Sequence, residues 1–246
     1  MGKKINRKLN VIILVSIMAV SLLVIILEGY LKVSLSSKPF LIFGGVLIAF
    51  NFYVILFQIS TKRLIALIPI AGTAGYVTQV VGTGCNIWTY TNQGKTFYIA
   101  IFMFIFAANA MYGFSNLMLS LFGKRESKKS RNSIFNICWV SGIFLFLIVT
   151  SLRFRNDINL AFWIYYGLLF IFAIYSSSRL SIRTMVSLTI SAWVVGFASE
   201  YFGSQAGIWL FEKSDNFPPA FLVGGSWPLE FTLHYCLSAL IVKEKM

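Results

Sequence analysis

Three of the eight acidic residues, Glu28, Glu200 and Glu230, fall inside long apolar stretches, while Asp157, Glu212, Asp215, Glu126 and Glu244 lie in connecting segments. A carboxylate inside hydrocarbon costs several kcal/mol, so a residue of this kind is rare and functional by default. No Lys or Arg sits in the middle of any apolar stretch to neutralise these acids, and a carboxyl buried without a cation favours its neutral, protonated form. The candidate chemistry is therefore that of a protonatable carboxyl held inside an apolar stretch. Glu28 stands near the end of its stretch and reads as an interfacial residue. Glu230 stands well inside its own, with His234, the chain's one histidine, four residues on and Trp227 three residues before. On a helix these three share one face. The plainer reading is that Glu230 and His234 bond each other or a neighbouring helix, as polar groups in membrane helices often do.

The elements that must hold these residues follow from composition. Of 246 residues, 58% are hydrophobic, 17% aromatic and only 12% charged, whereas a soluble domain carries roughly a quarter of its residues as charges. A membrane-spanning helix needs about 20 apolar residues, and the sequence offers eight such stretches: 11–31, 39–59, 64–81, 97–122, 134–152, 158–175, 182–202 and 217–242. The expected fold is all-α, a polytopic integral membrane protein of about eight transmembrane helices. The third stretch is the most interrupted, by Pro69 and by Gly72, Gly75, Gly82 and Gly84, which membrane helices tolerate when neighbours satisfy the backbone. The first follows Lys3, Lys4, Arg7 and Lys8 but is too long for the apolar core of a signal peptide, so it is expected to stay as a helix.

The net charge of +13 reads as a topology signal and not as a nucleic-acid surface. With the N-terminus inside, 15 of the 21 Lys and Arg fall in inner segments and 6 in outer ones, the bias of cytoplasmic loops. Among the 15 is Arg63. An even helix count then places both termini in the cytoplasm of a multi-pass protein of the cell membrane. Cys85, Cys138 and Cys236 have no metal spacing and read as small apolar residues. No P-loop, no dinucleotide fingerprint and no H-E-x-x-H is present, so no cofactor or metal is indicated by motif.

The chain divides at the basic stretch GKRESKKSR. Sliding one half over the other by 121 residues lays Gly75, Gly82, Ile87 and Trp88 on Gly196, Gly203, Ile208 and Trp209. It also lays Gln79 on Glu200, Tyr90 on Phe211 and Asn109 on Glu230. Two tandem four-helix repeats are expected, residues 1–123 and 132–246, joined by the cytoplasmic linker 124–131. Gln79 and Asn109 are then neutral counterparts of the two acids. Trp88, Tyr90, Trp209 and Phe211 read either as interfacial belt residues or as the lining of a cavity.

The second half, with Glu200, then Gly207, Trp209 and Phe211, then Pro228 and Glu230, resembles the lycopene cyclase domain, a small membrane-embedded family of paired or fused halves. Its pattern is an acid, then G-x-W-x-[YF], then P-x-E-[ED]. Phe231 stands where that pattern has its second acid, and in the first half Gln79, Asn109 and Ala107 replace both acids and the proline. The resemblance implies an intramembrane carotenoid or isoprenoid cyclase, an intramolecular lyase or isomerase that protonates a polyene double bond. It implies Glu230 as proton donor, Glu200 or His234 as the group that returns or relays the proton, and Trp209, Trp227, Phe211, Trp88, Tyr90, Gln79 and Asn109 around the substrate. The competing expectations are a small proton-coupled transporter, a lipid-binding membrane protein, or an inactive scaffold of an isoprenoid pathway.

Overall fold

The computed structural model describes residues 5–27, 37–90, 97–121, 133–152, 158–211 and 225–243; Glu28 lies outside them. Eight helices are present among these residues: α1 Arg7–Leu27, α2 Lys38–Phe57, α3 Thr61–Gly84, α4 Phe97–Leu121, α5 Ser133–Ser151, α6 Leu160–Ser177, α7 Ile182–Gln205 and α8 Trp227–Ile241. Their starts are set by local chemistry. Ser37, Ser60, Asn159 and Ser181 each accept a backbone N–H of the first turn through a side-chain oxygen, which satisfies donors that have no partner within the helix.

By length and composition α1 to α7 are each apolar enough to cross a membrane, which marks the chain as a membrane protein. α3 runs through Pro69 without ending and takes in all four of its glycines. Of the eighth expected span, the described residues show α8. Its 15 residues span about 22 Å at 1.5 Å per residue, short of the hydrocarbon core of about 30 Å. Residues 217–224 of the expected span lie outside the described ones. The structure also adds what an all-helical reading omits, two three-residue strands, β1 Trp88–Tyr90 and β2 Trp209–Phe211, paired antiparallel.

α3, α4, α7 and α8 form the inner bundle, in which α3 packs on α4 and α8, and α7 on α4 and α8. The pair α1–α2 leans on α4, and the pair α5–α6 leans on α8. The α1–α2 pair is loosely attached: α1 buries only Asn10, Leu14 and Ser21, and α2 only Asn51, Val54 and Ile55.

Each outer pair is pinned in the same way. The Asn10 amide on α1 donates to the carbonyls of Ile55 and Ile59 at 2.9 and 3.4 Å, at the end of α2. The Asn136 amide on α5 donates to those of Ser177 and Leu180 at 2.9 and 2.8 Å, at the end of α6. Carbonyls at a helix end lack intrahelical partners, so one asparagine relieves two of them.

The ends of α3 and α7 match more closely still. At both, the chain turns through a left-handed residue, Asn86 (φ 50°) or Gly207 (φ 67°). Ile87 N–H then bonds the Gly82 carbonyl at 3.0 Å, and Ile208 N–H bonds that of Gly203 at 3.1 Å. This is the Schellman geometry, open to Gly and Asn because other side chains clash there. The turn folds Trp88 back over Gly82 and Trp209 over Gly203, where a methyl group at either glycine would overlap the indole. The strands then meet with Thr89 opposite Leu210, residues 121 apart.

On α4 and α8 the contacts run at another spacing. Gly75 meets Phe104 and Gly196 meets Trp227, and the two rings stack on each other at 5.0 Å. Tyr112 and Tyr235 face each other at 6.1 Å. Both ring pairs are 123 residues apart, so in contact Glu230 corresponds to Ala107 and not to Asn109.

Arg63 departs from its expected place among the loop charges. It is buried in the first turn of α3, its guanidinium between the rings of Tyr112 and Tyr235 at 4.7 and 4.3 Å. It also donates to the Tyr235 carbonyl at 2.9 Å and to the Ser238 hydroxyl at 3.3 Å. A weakly hydrated, planar cation is suited to such a sandwich, and here it ties α3 to α8.

The close approach of indole to helix yields a prediction. Gly203→Ala forces Trp209 off α7 and should lower stability by about 1–3 kcal/mol, measured as an earlier thermal transition in detergent. Gly142→Ala, at a position where a methyl group meets nothing within 4 Å, should leave that transition in place.

Candidate functional site

A cavity of about 730 Å³ lies between the α1–α2 pair and the inner bundle. Its wall on the α1–α2 side is aliphatic and phenylalanine-rich and includes Val15, Leu22, Leu41 and Ile48. These four are exposed residues, on the side where α1 and α2 bury least. Its opposite end, made by α3, α7, α8 and the strands, gathers the polar groups: Thr78, Gln79, Glu200 and Glu230 with the rings of Trp88, Tyr90, Trp209 and Trp227.

Each polar group is held by the local fold. Gln79 sits nine residues before Trp88, and the Schellman turn brings the indole back so that Trp88 Nε1 donates to Gln79 Oε1 at 2.9 Å. Tyr90 Oη donates to the same oxygen. In the second half Glu200 takes the place of Gln79. Its Oε1 accepts from Trp227 Nε1 at 3.1 Å, and the Trp209 N–H faces the same carboxyl without closing a full hydrogen bond. Phe211 replaces the tyrosine and has no hydroxyl to offer.

Glu230 is 1% exposed, one turn into α8. Its Oε1 accepts from the Thr78 hydroxyl of α3 at 3.0 Å. That hydroxyl is 2.8 Å from Tyr165 Oη of α6, which in turn reaches the Ala74 carbonyl at 3.5 Å.

The expected site residues therefore separate. Glu230, Glu200, Gln79, Trp88, Tyr90, Trp209 and Trp227 share one cavity. His234, Asn109 and Phe211 are not part of its wall. His234 is 3% exposed, one turn deeper on α8, and makes no hydrogen bond to Glu230, whose carboxyl turns to Thr78. The Asn109 amide donates to Asn51 Oδ1 at 2.6 Å and joins α4 to α2. Phe211 lies edge-on to Trp88 with centroids 6.4 Å apart.

Sequence reasoning missed Thr78 and Tyr165, because single hydroxyls are frequent in apolar helices and usually bond the carbonyl four residues back. It also missed the apolar wall, which is indistinguishable in sequence from lipid-facing surface. No group of His, Cys, Asp and Glu that could hold a metal ion occurs among the described residues.

The chain matches no family model, no curated protein and no solved structure.

The two carboxyls differ in what surrounds them. Indole N–H groups can only donate, so Trp227 favours Glu200 as an acceptor, and an anion accepts best. Hydroxyls donate and accept, so Thr78 serves Glu230 in either protonation state. The arrangement is two carboxyls with different hydrogen-bond partners facing one largely apolar space walled with aromatic rings.

Occupancy of the cavity can be tested directly. A conjugated polyene probe seated in the cavity should quench tryptophan emission, because Trp88, Trp209 and Trp227 line it. Gly45→Phe, which puts a ring into the cavity from α2, should weaken that quenching in lipid nanodiscs about tenfold. Undiminished quenching would mean that the probe does not enter there.

Proposed function

We propose that the protein is an intramembrane acid–base isomerase of the cyclase type, acting on a polyene isoprenoid. The observation that carries this reading is the convergence of Glu230, Glu200 and three indole rings on one largely apolar cavity between the inner bundle and the α1–α2 pair. The resemblance of Glu200, Gly207, Trp209, Phe211, Pro228 and Glu230 to the lycopene cyclase domain points the same way. We further infer that the chain is a tandem duplication, with both termini on the cytoplasmic side of the cell membrane. The matched asparagine clamps, Schellman turns and folded-back tryptophans support the duplication.

The proposed reaction conserves every atom. The Glu230 proton adds to a terminal C=C, forming a C–H bond and leaving a tertiary cation on the neighbouring carbon. An inner C=C supplies the electron pair that closes the ring, and the cation moves along the chain. Glu200 then removes a proton from the adjacent carbon, whose C–H electrons become the new ring double bond. The product is an isomer of equal mass. A neutral carboxylic acid in a dry site is fitted for the first step. The rings of Trp88, Trp209 and Trp227 would stabilise the cation by about 0.5–2 kcal/mol each. Exclusion of water prevents its capture as an alcohol.

A second reading, proton-coupled transport of a lipid, draws on the duplicated plan and the intramembrane acids. The largely apolar wall of the cavity favours the first.

Expression in a lycopene-accumulating host, with chromatography and mass spectrometry of extracted pigments, tests the proposal. The expected result is a new isomer of unchanged mass and shortened absorption, lost in Glu230→Gln while the variant still folds in detergent. Full product from Glu230→Gln would overturn the assignment. Unchanged pigment alongside folded wild-type protein would remove lycopene as substrate and move the weight to transport.

A further inference from the structure

We propose that Tyr165 and Thr78 form a proton relay that recharges Glu230 from the end of the bundle where α6 begins. The proposal deepens the reading of Glu230 as a proton donor and rests on it. The two hydroxyls and the carboxyl form an unbroken chain, Tyr165 Oη to Thr78 Oγ1 at 2.8 Å and Thr78 Oγ1 to Glu230 Oε1 at 3.0 Å. The chain crosses three helices, α6, α3 and α8, and leads from the cavity wall to a half-buried tyrosine.

Both proton states of this chain can be satisfied, which a static bond would not require. With Glu230 charged, Tyr165 donates to Thr78 and Thr78 donates to the carboxylate. With Glu230 neutral, the carboxylic acid donates to Thr78, Thr78 donates to Tyr165, and Tyr165 turns to the Ala74 carbonyl 3.5 Å away, which has a second lone pair for it. Recharging moves the Tyr165 proton to Thr78 and the Thr78 proton to Glu230, while Tyr165 takes a proton from water. The matching proton leaves Glu200 for water, so the cycle has no net uptake.

The chain of hydroxyls lies near one end of the bundle. Tyr165 is five residues after the first residue of α6, and Thr78 six before the last of α3, so both lie within about 10 Å of those helix ends at 1.5 Å per residue. The Asn159 amide, just before α6, holds the two ends together by donating to the Gly84 carbonyl at 3.3 Å. Glu200 has the Trp227 indole as its bonded neighbour, which cannot pass a proton on; five residues before the last of α7, it returns its proton to water at that end with no side-chain relay.

Infrared spectroscopy of the full chain in nanodiscs, without substrate, separates the relay from the reading beneath it. A protonated-carboxyl band that disappears in Glu230→Gln identifies the acid. On transfer to heavy water that band should shift at least tenfold more slowly in Tyr165→Phe and Thr78→Val than in wild type, and Thr78→Ser should restore the wild-type rate. Equal rates in all four proteins would overturn the relay and leave Glu230 as the acid. A band that survives Glu230→Gln would overturn both.

Discussion

A polar group inside an apolar solvent has to find its partner within the protein, and the architecture answers that demand repeatedly. Backbone groups inside the helices take care of themselves. The helix ends do not, and there the chain commits Asn10, Asn136, two Schellman turns and four side-chain caps. Carboxyls are harder, because no amount of helix satisfies them. Glu200 and Glu230 stand only where an indole N–H and a threonine hydroxyl reach them, and those donors stand only where α3, α7 and α8 converge. The position of the site is thus a consequence of satisfaction, and the inner bundle is arranged around it.

The tryptophans make the convergence specific. Each Schellman turn returns its indole across a glycine face, so Trp88 and Trp209 reach inward from segments that would otherwise leave the bundle. The short strands join these turns across the two halves, and the stacked pair Phe104–Trp227 continues the contact between α4 and α8. Rings bring area and rigidity with little rotamer entropy to lose, which suits a wall that must keep its shape while its other side is soft.

Much of this was legible in the sequence. Hydropathy located the seven helices long and apolar enough to cross a membrane, and Glu200 and Glu230 with the offset of Gly75, Gly82 and Trp88 pointed to most of one cavity wall. What was hidden has physical causes. The offset is exact for α3 and α7 but shifts by two on α4 and α8, so Asn109 looked like the partner of Glu230 while Ala107 holds that place. His234 shares a helix face with Glu230, yet a face of four residues spans one full turn, deep enough to leave the cavity behind. Arg63 looked like a loop charge because nothing in sequence says that Tyr112 and Tyr235 will close over it. Thr78 and Tyr165 carried no signal, since a hydroxyl declares its partner only in three dimensions.

The loosely attached α1–α2 pair has a consequence for selectivity. A ligand that arrives sideways leaves one apolar medium for another, so greasiness alone contributes almost nothing to its capture, unlike a soluble pocket that draws apolar molecules from water. What remains to discriminate is shape against the phenylalanine wall and the few contacts at the polar end.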